Sequence, residues 1–255
     1  MGLPGRRELE DIARSAGAIA LGHFRHVAAE RKADRSLVTR ADRDVEDYLV
    51  GTLAPLLPEA AIIGEEGTAR PGRGAERIVI DPIDGTAGFV AGLPTWCICV
   101  GILRGAEPVA GVVHLPCADE TYIAIEGSAW MNGTPLPPLG GDLEGDRFLV
   151  THAKAHRRHA ITYPGKVRSL GSTAYHVVLV TRGVAEAALV GRAHVWDLVA
   201  PGAILVAVGG RYEYLSGAPV DLAMLLDGER APENVVAGTP AALRALRTVV
   251  RPLPS

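Results

Sequence analysis

Acidic residues stand at three places where a predicted strand ends or a predicted helix begins. They are Glu65, Glu66, Asp81, Asp84 and Asp197. The pair Asp81 and Asp84 has a carbonyl between its members, and a proline and a glycine stiffen the turn, so several hard oxygen ligands surround one point. Clusters of this kind suit Mg²⁺, Mn²⁺ or Ca²⁺. The pattern therefore indicates metal-assisted chemistry.

Other kinds of site are disfavoured by spacing. The segment after Asp81 lacks the D-x-D-x-D loop and closing glutamate of an EF-hand. The sequence contains no G-x-x-x-x-G-K-[ST] loop and no G-x-S-x-G elbow, which argues against a P-loop and against Ser/His/Asp hydrolysis. Each acidic position also has a structural interpretation, because Asp caps helices and Asp-Gly forms turns. For Asp197 taken alone, the helix cap is the preferred interpretation.

The composition is that of an ordinary globular protein. The 255 residues are 48% hydrophobic and 22% charged, with a formal net charge of −3. This balance argues against a basic nucleic-acid-binding surface and against an acidic disordered tail. No secretory signal and no apolar run of about 20 residues is present, so we expect a soluble, cytoplasmic protein with no membrane partner.

The three cysteines do not follow a metal-binding spacing. They are Cys97, Cys99 and Cys117, and an odd number without a C-x-x-C pair fits a reducing compartment. Cys97 and Cys99 lie two residues apart in an apolar run, so on a strand they share a face. We expect them to pack in the core as small hydrophobic residues.

The elements that must position the acidic residues are two helices followed by a sheet. Apolar residues from Leu9 to Val27 recur at helical spacing, and a second helix is predicted to begin at Thr39, with Asp42 completing the cap. Five short runs rich in β-branched residues then predict strands: 61–63, 77–80, 95–103, 109–114 and 122–125. Asn132-Gly133 predicts a hairpin turn.

A glycine-rich polar stretch, 139–146, is the predicted domain boundary. Beyond it strands and helices alternate, which is typical of an α/β layer. Strands are predicted near 148–150, 166–170, 185–190 and 235–236, helices over 175–181, after Asp197 and over 240–250, and a hairpin-like segment over 211–222. The expected domains are therefore 1–146 and 147–255.

One basic cluster interrupts the second half, at Lys154 to His159. A solvated helix face is the simpler interpretation. A patch that faces phosphate is the alternative, because arginine forks match phosphate oxygens.

Four blocks of the sequence together resemble the inositol monophosphatase family of Mg²⁺-dependent, lithium-sensitive phosphatases. They are Lys32-Ala33-Asp34-Arg35-Ser36-Leu37-Val38-Thr39-Arg40-Ala41-Asp42, Ile63-Gly64-Glu65-Glu66-Gly67, Ile80-Asp81-Pro82-Ile83-Asp84-Gly85-Thr86-Ala87-Gly88-Phe89, and Trp196-Asp197 leading to Gly209-Gly210. The blocks keep the family's order, and the resemblance spans nearly the whole chain.

The resemblance implies a role for each acidic residue. Glu65, Asp81, the backbone carbonyl of Ile83 and Asp84 would hold Mg²⁺, and Asp197 would complete a second site. Two ions are expected, with Asp42 assisting a weaker third. Glu65 and Thr86 would be catalytic, because they position and activate a water for in-line attack on phosphorus. The ions would supply the positive charge that lets an acidic chain hold a phosphate.

The residues expected at the substrate are Asp84, Gly85, Thr86, Gly171, Ser172, Arg192 and Asp197. Gly85 and Thr86 would open a helix whose free N–H groups face the phosphate. The chain departs from the family pattern at Val190, where the region of the family's inositol-recognising carboxylate holds no acid. It also departs at Ala87, Gly88 and Ala207. An apolar residue accepts no hydrogen bond from a sugar hydroxyl, so the leaving-group side has drifted while the metal ligands are kept.

The expected fold is therefore a layered αβαβα sandwich (α+β or α/β) with the site between its halves. The expected activity is Mg²⁺-dependent hydrolysis of a small phosphate monoester. Inositol phosphates, fructose 1,6-bisphosphate, histidinol phosphate and 3′-phosphoadenosine 5′-phosphate remain candidates, and a homodimer is implied by the resemblance alone. The alternative is a non-catalytic family member that binds metal and a phosphate ligand.

Overall fold

The computed structural model describes residues 2–32, 36–141 and 144–253. Asp34 of the first resemblance block lies outside the described residues, as do its neighbours Ala33 and Arg35. Asp142 and Leu143 of the predicted boundary stretch also lie outside them.

The described chain contains six α-helices and two 3₁₀ helices. The α-helices are α1 Arg6–His23, α2 Arg40–Leu56, α3 Thr86–Val90, α4 Thr173–Thr181, α5 Val195–Ala207 and α6 Pro240–Val249. The 3₁₀ helices are Ala155–Arg157 and Leu222–Leu225. Within the described residues, none of the helices combines the length and apolar character that crossing a bilayer requires.

Seventeen strands are described. They are β1 Ala29–Arg31, β2 Leu37–Thr39, β3 Ala61–Gly64, β4 Ala69–Arg70, β5 Glu76–Asp84, β6 Cys97–Arg104, β7 Glu107–Leu115, β8 Glu120–Ile125, β9 Ser128–Met131, β10 Thr134–Pro135, β11 Phe148–Thr151, β12 His159–Ile161, β13 Lys166–Arg168, β14 Ala185–Gly191, β15 Arg211–Tyr214, β16 Val235–Gly238 and β17 Val250–Pro252.

Two large sheets divide the strands between the two halves of the chain. The first has eight strands in the order β10-β9-β8-β7-β6-β5-β3-β4, and the second has five in the order β13-β11-β14-β16-β15. Strand β3 runs parallel to β5, and β11 runs parallel to β13 and β14. Two short antiparallel pairs, β1-β2 and β12-β17, complete the set.

Helices cover and separate the sheets in five layers. Leu9 and Leu49, from α1 and α2, pack with Ile78 on one face of the eight-stranded sheet. Helices α4 and α5 fill the space between the sheets, and α6 covers the far face of the five-stranded sheet. The predicted αβαβα sandwich is confirmed.

Strand β6 shows why both sheet faces are apolar. Its alternate residues Ile98 and Val100 join the core with α1 and α2, while Cys97 and Cys99 join the core with α4 and α5. Because side chains alternate along a strand, a sheet between two helix layers needs apolar residues at every position. The expectation that the two cysteines pack in the core is confirmed, since both are fully buried.

Local signals in the sequence placed several elements correctly. Thr39 caps α2, its hydroxyl accepting from the Ala41 amide while the Thr39 amide donates to Asp42. Asn132 and Gly133 both have positive φ, 47° and 80°, as the predicted hairpin turn between β9 and β10 requires.

Two local expectations were wrong and one was met only in part. Helix α1 ends at His23, not near Val27, because Phe24 turns to pack on Phe89 and Trp96. The hairpin-like segment 211–222 is present in part: an antiparallel bridge joins Glu213 to Pro219 and the Tyr214 amide donates to the Ala218 carbonyl at 2.8 Å, while β15 pairs along its length with β16. The basic cluster forms a single 3₁₀ turn and the start of β12 in place of a helix face.

Candidate metal centre

A bulge in β5 places two aspartates on the same face of the sheet. Residues three apart on a regular strand point to opposite faces. Here Asp81 pairs with Cys99 and Asp84 with Cys97, so three steps on β5 oppose two steps on β6. The extra residue in the bulge turns the side chains of Asp81 and Asp84 to the same face of the sheet. Both carboxylates therefore face the layer that contains α4 and α5.

Asp197 approaches the same point from the start of α5. It is the third residue of the helix, and its Oδ2 accepts a hydrogen bond of 2.8 Å from the amide of His194. The helix-cap interpretation is thus correct. The same side chain also has a carboxylate oxygen within 4.8 Å of oxygens from Asp81 and Asp84. Capping therefore holds Asp197 in place beside the other two carboxylates.

Glu65 lies beside Asp81 because β3 and β5 are parallel and end at the same edge. The Glu65 amide donates to the carbonyl of Ile80 at 3.1 Å. Buried Glu46 of α2 holds the following turn, since its carboxylate accepts from the amides of Glu66 and Thr68 at 2.9 and 3.1 Å. Glu46 is therefore a positioning residue. It could not be predicted from the sequence, because the local sequence of α2 does not show which distant amides a glutamate will contact.

Lys32 is the cation that faces these glutamates. Its Nζ lies 3.2 Å from Glu65 Oε1 and 2.7 Å from Glu66 Oε1. Burial alone would lower the pKa of Lys32, but the two glutamates together outweigh it and raise that pKa. Lys32 belongs to the first of the four family-like blocks, and its role at the site becomes visible only in the folded chain.

The carboxylates are buried with like charge around them. Burial raises the pKa of Asp81 well above its usual range, and neighbouring carboxylates, Glu65 first, raise it further. Burial, and after it the charge of Asp84, also raises the pKa of Asp197 well above its usual range. Burial also raises the pKa of Glu66, to about 7. A buried cluster of this kind is costly without a cation.

Asp81 shows most directly that the residues fit a metal ion. The residue is 1% exposed, and its Oδ1 has no hydrogen-bond partner among the described residues. A buried carboxylate oxygen is normally paired. Hard oxygen donors of this type are those Mg²⁺ takes in proteins.

Asp84 is held by the start of α4. The hydroxyl of Ser172 donates to Asp84 Oδ2 at 2.7 Å, and the amides of Thr173 and Ala174 donate to the same carboxylate. Burial raises the pKa of Asp84, and these hydrogen bonds oppose that rise. Ser172, expected at the substrate, is fully buried beneath Asp84, whereas its neighbour Gly171 lines the open cavity.

Thr86 stands on the opposite wall. Its Oγ1 lies 3.0 Å from the carbonyl oxygen of Ile83 and 3.3 Å from Oδ1 of Asp42. Gly85 precedes it at φ 96°, a left-handed conformation that glycine adopts without strain. A Cβ there would also lie 3.1 Å from the Cβ of Ser172. The predicted helix opening is present, although α3 has only five residues.

These residues surround a cavity of about 660 Å³ between the two halves of the chain. Glu65, Asp84, Thr86 and Asp197 line it, and three cationic side chains join them: Arg31, Lys32 and Arg230. His194, stacked on Trp196 with ring centroids 4.6 Å apart, forms another part of the wall. Arg230, His194 and the Trp196 ring were missed as lining residues, because only the folded chain brings them to the cavity.

Arg192 and Val190 lie elsewhere. The side chain of Arg192 lines a second cavity, and its Nε donates to the carbonyl of Ala231 at 2.8 Å. Val190 is buried in the core between the sheets. Ala87 lines the metal-centre cavity, whereas Gly88 is buried.

The layered fold with a carboxylate cavity between its halves defines a class of phosphatase folds. A model of the inositol monophosphatase family matches residues 6–243. The chain belongs to the inositol monophosphatase family.

Individual relatives agree with this assignment. The inositol-1-monophosphatase of Bacillus subtilis is 32% identical over 231 residues, which cover 83% of this chain and 87% of the relative. The fructose-1,6-bisphosphatase/inositol-1-monophosphatase of Aquifex aeolicus is 28% identical over 246 residues, covering 90% and 92%. Among solved structures, an IMPase of Thermotoga maritima superposes with a TM-score of 0.83 at 26% identity and covers 96% of each chain.

Proposed function

We propose that this protein hydrolyses a small phosphate monoester in a Mg²⁺-dependent reaction. The observation that carries the proposal is the convergence of Asp81, Asp84 and Asp197, together with a buried Asp81 oxygen that has no hydrogen-bond partner among the described residues. Glu65, Asp81, the carbonyl of Ile83, Asp84 and Asp197 would hold two ions, and Asp42 would support a third. Bound Mg²⁺ would neutralise the phosphate and make a water more acidic, which is chemistry the carboxylates alone do not supply.

The chain's own residues would then orient the reactants. Lys32 holds the Glu65 carboxylate, and the Ile83 carbonyl and Asp42 hold the Thr86 hydroxyl, so both groups have defined positions before a water arrives. We assign Glu65 and Thr86 the task of positioning the attacking water. Placing a nucleophile in advance lowers the barrier because the ordering entropy is already spent.

The cationic and aromatic wall is the part of the cavity that we assign to the rest of the substrate. Arg31 and Arg230 offer donors to anionic groups, and the stacked His194 and Trp196 offer a flat surface. Gly85 and Gly171 leave room for the phosphate. The relatives described above are named inositol-1-monophosphatase and fructose-1,6-bisphosphatase/inositol-1-monophosphatase. The substrate panel contains inositol 1-phosphate and fructose 1,6-bisphosphate, which these names suggest, together with histidinol phosphate and 3′-phosphoadenosine 5′-phosphate, the other candidates from the sequence. The homodimer and the cytoplasmic location stay predictions.

Phosphate release from this panel tests the proposal. Each substrate is assayed with Mg²⁺, with Mg²⁺ plus Li⁺, and in metal-depleted buffer, and we expect Mg²⁺-dependent release that Li⁺ inhibits. Asp84→Asn should abolish release and weaken Mg²⁺ binding in calorimetry, because an amide offers the ion less negative charge. Asp11→Asn, an exposed aspartate on α1, is the charge-matched control. Full activity of Asp84→Asn would overturn the metal assignment. Retained Mg²⁺ binding without release from any substrate would favour the non-catalytic alternative.

A further inference from the structure

A second cavity, of about 790 Å³, lies on the other side of the segment 192–194 from the metal centre. Its walls come from the basic 3₁₀ turn, β12, β17 and the end of α6. Five arginines line it: Arg157, Arg158, Arg192, Arg247 and Arg251. A single carboxylate, Glu233, faces them among the described residues. The cavity therefore concentrates positive charge in a chain whose net charge is −3.

Most of this charge is not neutralised within the described chain. Arg247 pairs with Glu213. Arg192 and Arg251 donate only to backbone carbonyls, those of Ala231 and Thr248.

The side chains of Arg157 and Arg158 make neither a hydrogen bond nor an ion pair with any described residue, and both are exposed at the cavity. Among the described residues, four of the five guanidinium groups thus form no ion pair. Arginine forks pair bidentately with phosphate oxygens.

A buried histidine lies in the wall behind the arginines. His159 lines the same cavity and is 7% exposed. The amide nitrogen of Asn234 lies 3.1 Å from His159 Nε2, so the amide donates and the neutral ring carries its hydrogen on Nδ1. That Nδ1 is buried and has no partner among the described residues. A buried donor without a partner is unusual, but this nitrogen is closed off from the cavity, so the recognition of a ligand rests on the arginines.

The shape of the cavity favours a small molecule over a polymer. Its volume falls within the range of roughly 300 to 1,000 Å³ that is typical of ligand pockets. Leu215, Val250 and Pro252 contribute apolar surface beside the arginines. Such a wall can contact the carbon skeleton of a metabolite while the arginines hold its anionic groups.

We propose that this cavity binds a small polyanion that carries at least two phosphate groups. The site is separate from the proposed hydrolytic centre, because the two cavities lie on opposite sides of one wall. In that wall Arg230 Nη1 donates to the carbonyl of Arg192 at 3.2 Å, and the Ala231 amide donates to the carbonyl of Ala193 at 2.8 Å. The side chain of Arg230 lines one cavity and that of Arg192 lines the other.

Calorimetric titration of pyrophosphate into the full-length, metal-depleted protein tests the proposal. No chelator is present, because chelators are themselves polyanions. Without metal the carboxylate centre lacks the ions that would hold a phosphate there, and comparison with Arg157→Ala/Arg158→Ala assigns the heat to the arginine cavity. We expect one pyrophosphate per chain and an affinity that falls with added salt.

Arg157→Ala/Arg158→Ala should weaken this binding at least about tenfold, since each lost contact is a charge-assisted hydrogen bond. Arg7→Ala/Arg73→Ala removes two exposed arginines from the other half of the chain and should leave the affinity unchanged. Phosphate release at the metal centre should stay at the wild-type rate in Arg157→Ala/Arg158→Ala, which separates this proposal from the proposed hydrolysis.

Equal affinity in Arg157→Ala/Arg158→Ala and the wild type would overturn the proposal. Absence of pyrophosphate binding to metal-depleted, folded protein would also overturn it, whether the protein is a monomer or an oligomer. Circular dichroism establishes folding, and Arg157→Gln/Arg158→Gln, which keeps most of the side-chain length, repeats the test if the alanine pair fails to fold.

Discussion

Asp81 is a buried carboxyl group whose neutral form is favoured over the charged form when no cation is bound. Burial and three other carboxylates raise its pKa, and its Oδ1 has no hydrogen-bond partner among the described residues. Asp81→Asn should therefore raise the free energy of unfolding of the metal-depleted protein at pH 8, by about 1 kcal/mol or more. Urea denaturation measures this.

The same substitution should reduce the stabilisation that added Mg²⁺ gives, because ligands stabilise only the state that binds them. Asp11→Asn removes the same charge from the exposed face of α1 and should change stability by less than about 0.5 kcal/mol. A loss of stability in metal-depleted Asp81→Asn would show that the carboxylate has a neutralising partner in the folded chain.

His176 illustrates how a residue inside α4 couples stability to pH. It is buried, and its Nε2 accepts from the amide of Leu170 at 2.8 Å, which requires that nitrogen to be unprotonated. Burial lowers the pKa of His176 to about 4, against an ordinary 6.5. Between these values the unfolded chain binds the extra proton and the folded chain does not, so stability falls as the pH drops from 6.5 to 4.

Replacing this residue removes its part of the pH dependence. His176→Gln keeps an acceptor for Leu170 and does not titrate, so its unfolding free energy should fall less steeply over that pH range, by up to about 3 kcal/mol in total. Urea titrations at pH 7, 6, 5 and 4 check this. The idea fails if the two proteins keep parallel curves. His114, whose pKa burial also lowers to about 4, remains as a second contribution in both.

At the scale of elements, glycines on β6 and β7 let α5 lie close to the eight-stranded sheet. A Cβ at Gly111 would lie 2.4 Å from the carbonyl oxygen of Ala200, and one at Gly101 would lie 2.4 Å from Val199 Cγ1. Backbone at that distance does not move aside cheaply. The approach matters for function because α5 presents Asp197 to the sheet that carries Asp81.

Gly111→Ala should destabilise the protein by about 1–3 kcal/mol, as overpacking of a core does. Gly51→Ala is the matched control, since Gly51 is exposed in α2 and a Cβ there meets nothing within 4 Å. The control should be stabilising by about 0.5–1 kcal/mol, because alanine has the higher helix propensity. Thermal unfolding of both variants checks the pair. Equal effects of the two substitutions would mean that the close approach of α5 is not a packing constraint.

At the scale of the whole molecule, the hydrophobic core is continuous across the predicted domain boundary near residue 146. One cluster joins Cys99, Val113 and Tyr122 of the first half to Val178 and Ile204 of the second. Apolar area shared in this way is the main favourable term in folding, so neither half keeps its full core alone. The two predicted domains stay a proposal about chain organisation, and we expect them to unfold together.

Fluorescence can follow the halves separately. Trp96 and Trp130 lie in the first half and Trp196 in the second, so Trp196→Phe leaves a signal from the first half alone. Its urea transition should coincide with that of far-UV circular dichroism, which reports both halves. The 1–146 fragment should be unfolded in isolation. Two separated transitions would show two independently stable domains.

Short-range signals were sufficient for much of the fold. The Thr39 cap, the Asn132-Gly133 turn and most strands depend on a few neighbouring residues, so the sequence predicts them. The end of α1 and the partner of β15 depend on distant side chains, Phe89 and Trp96 in the first case and β16 in the second. No local pattern contains that information.

The sequence by itself determined the family, the order of the elements and which carboxylates could bind metal, because these follow from residue types at fixed spacing. Only the tertiary structure decided which side chains meet. The β5 bulge turns Asp81 and Asp84 to one face, α5 brings Asp197 within 4.8 Å of them, and Arg192 joins a different cavity from Arg230. Proximity between residues far apart in the chain arises from packing of layers, and packing is a property of the folded molecule as a whole.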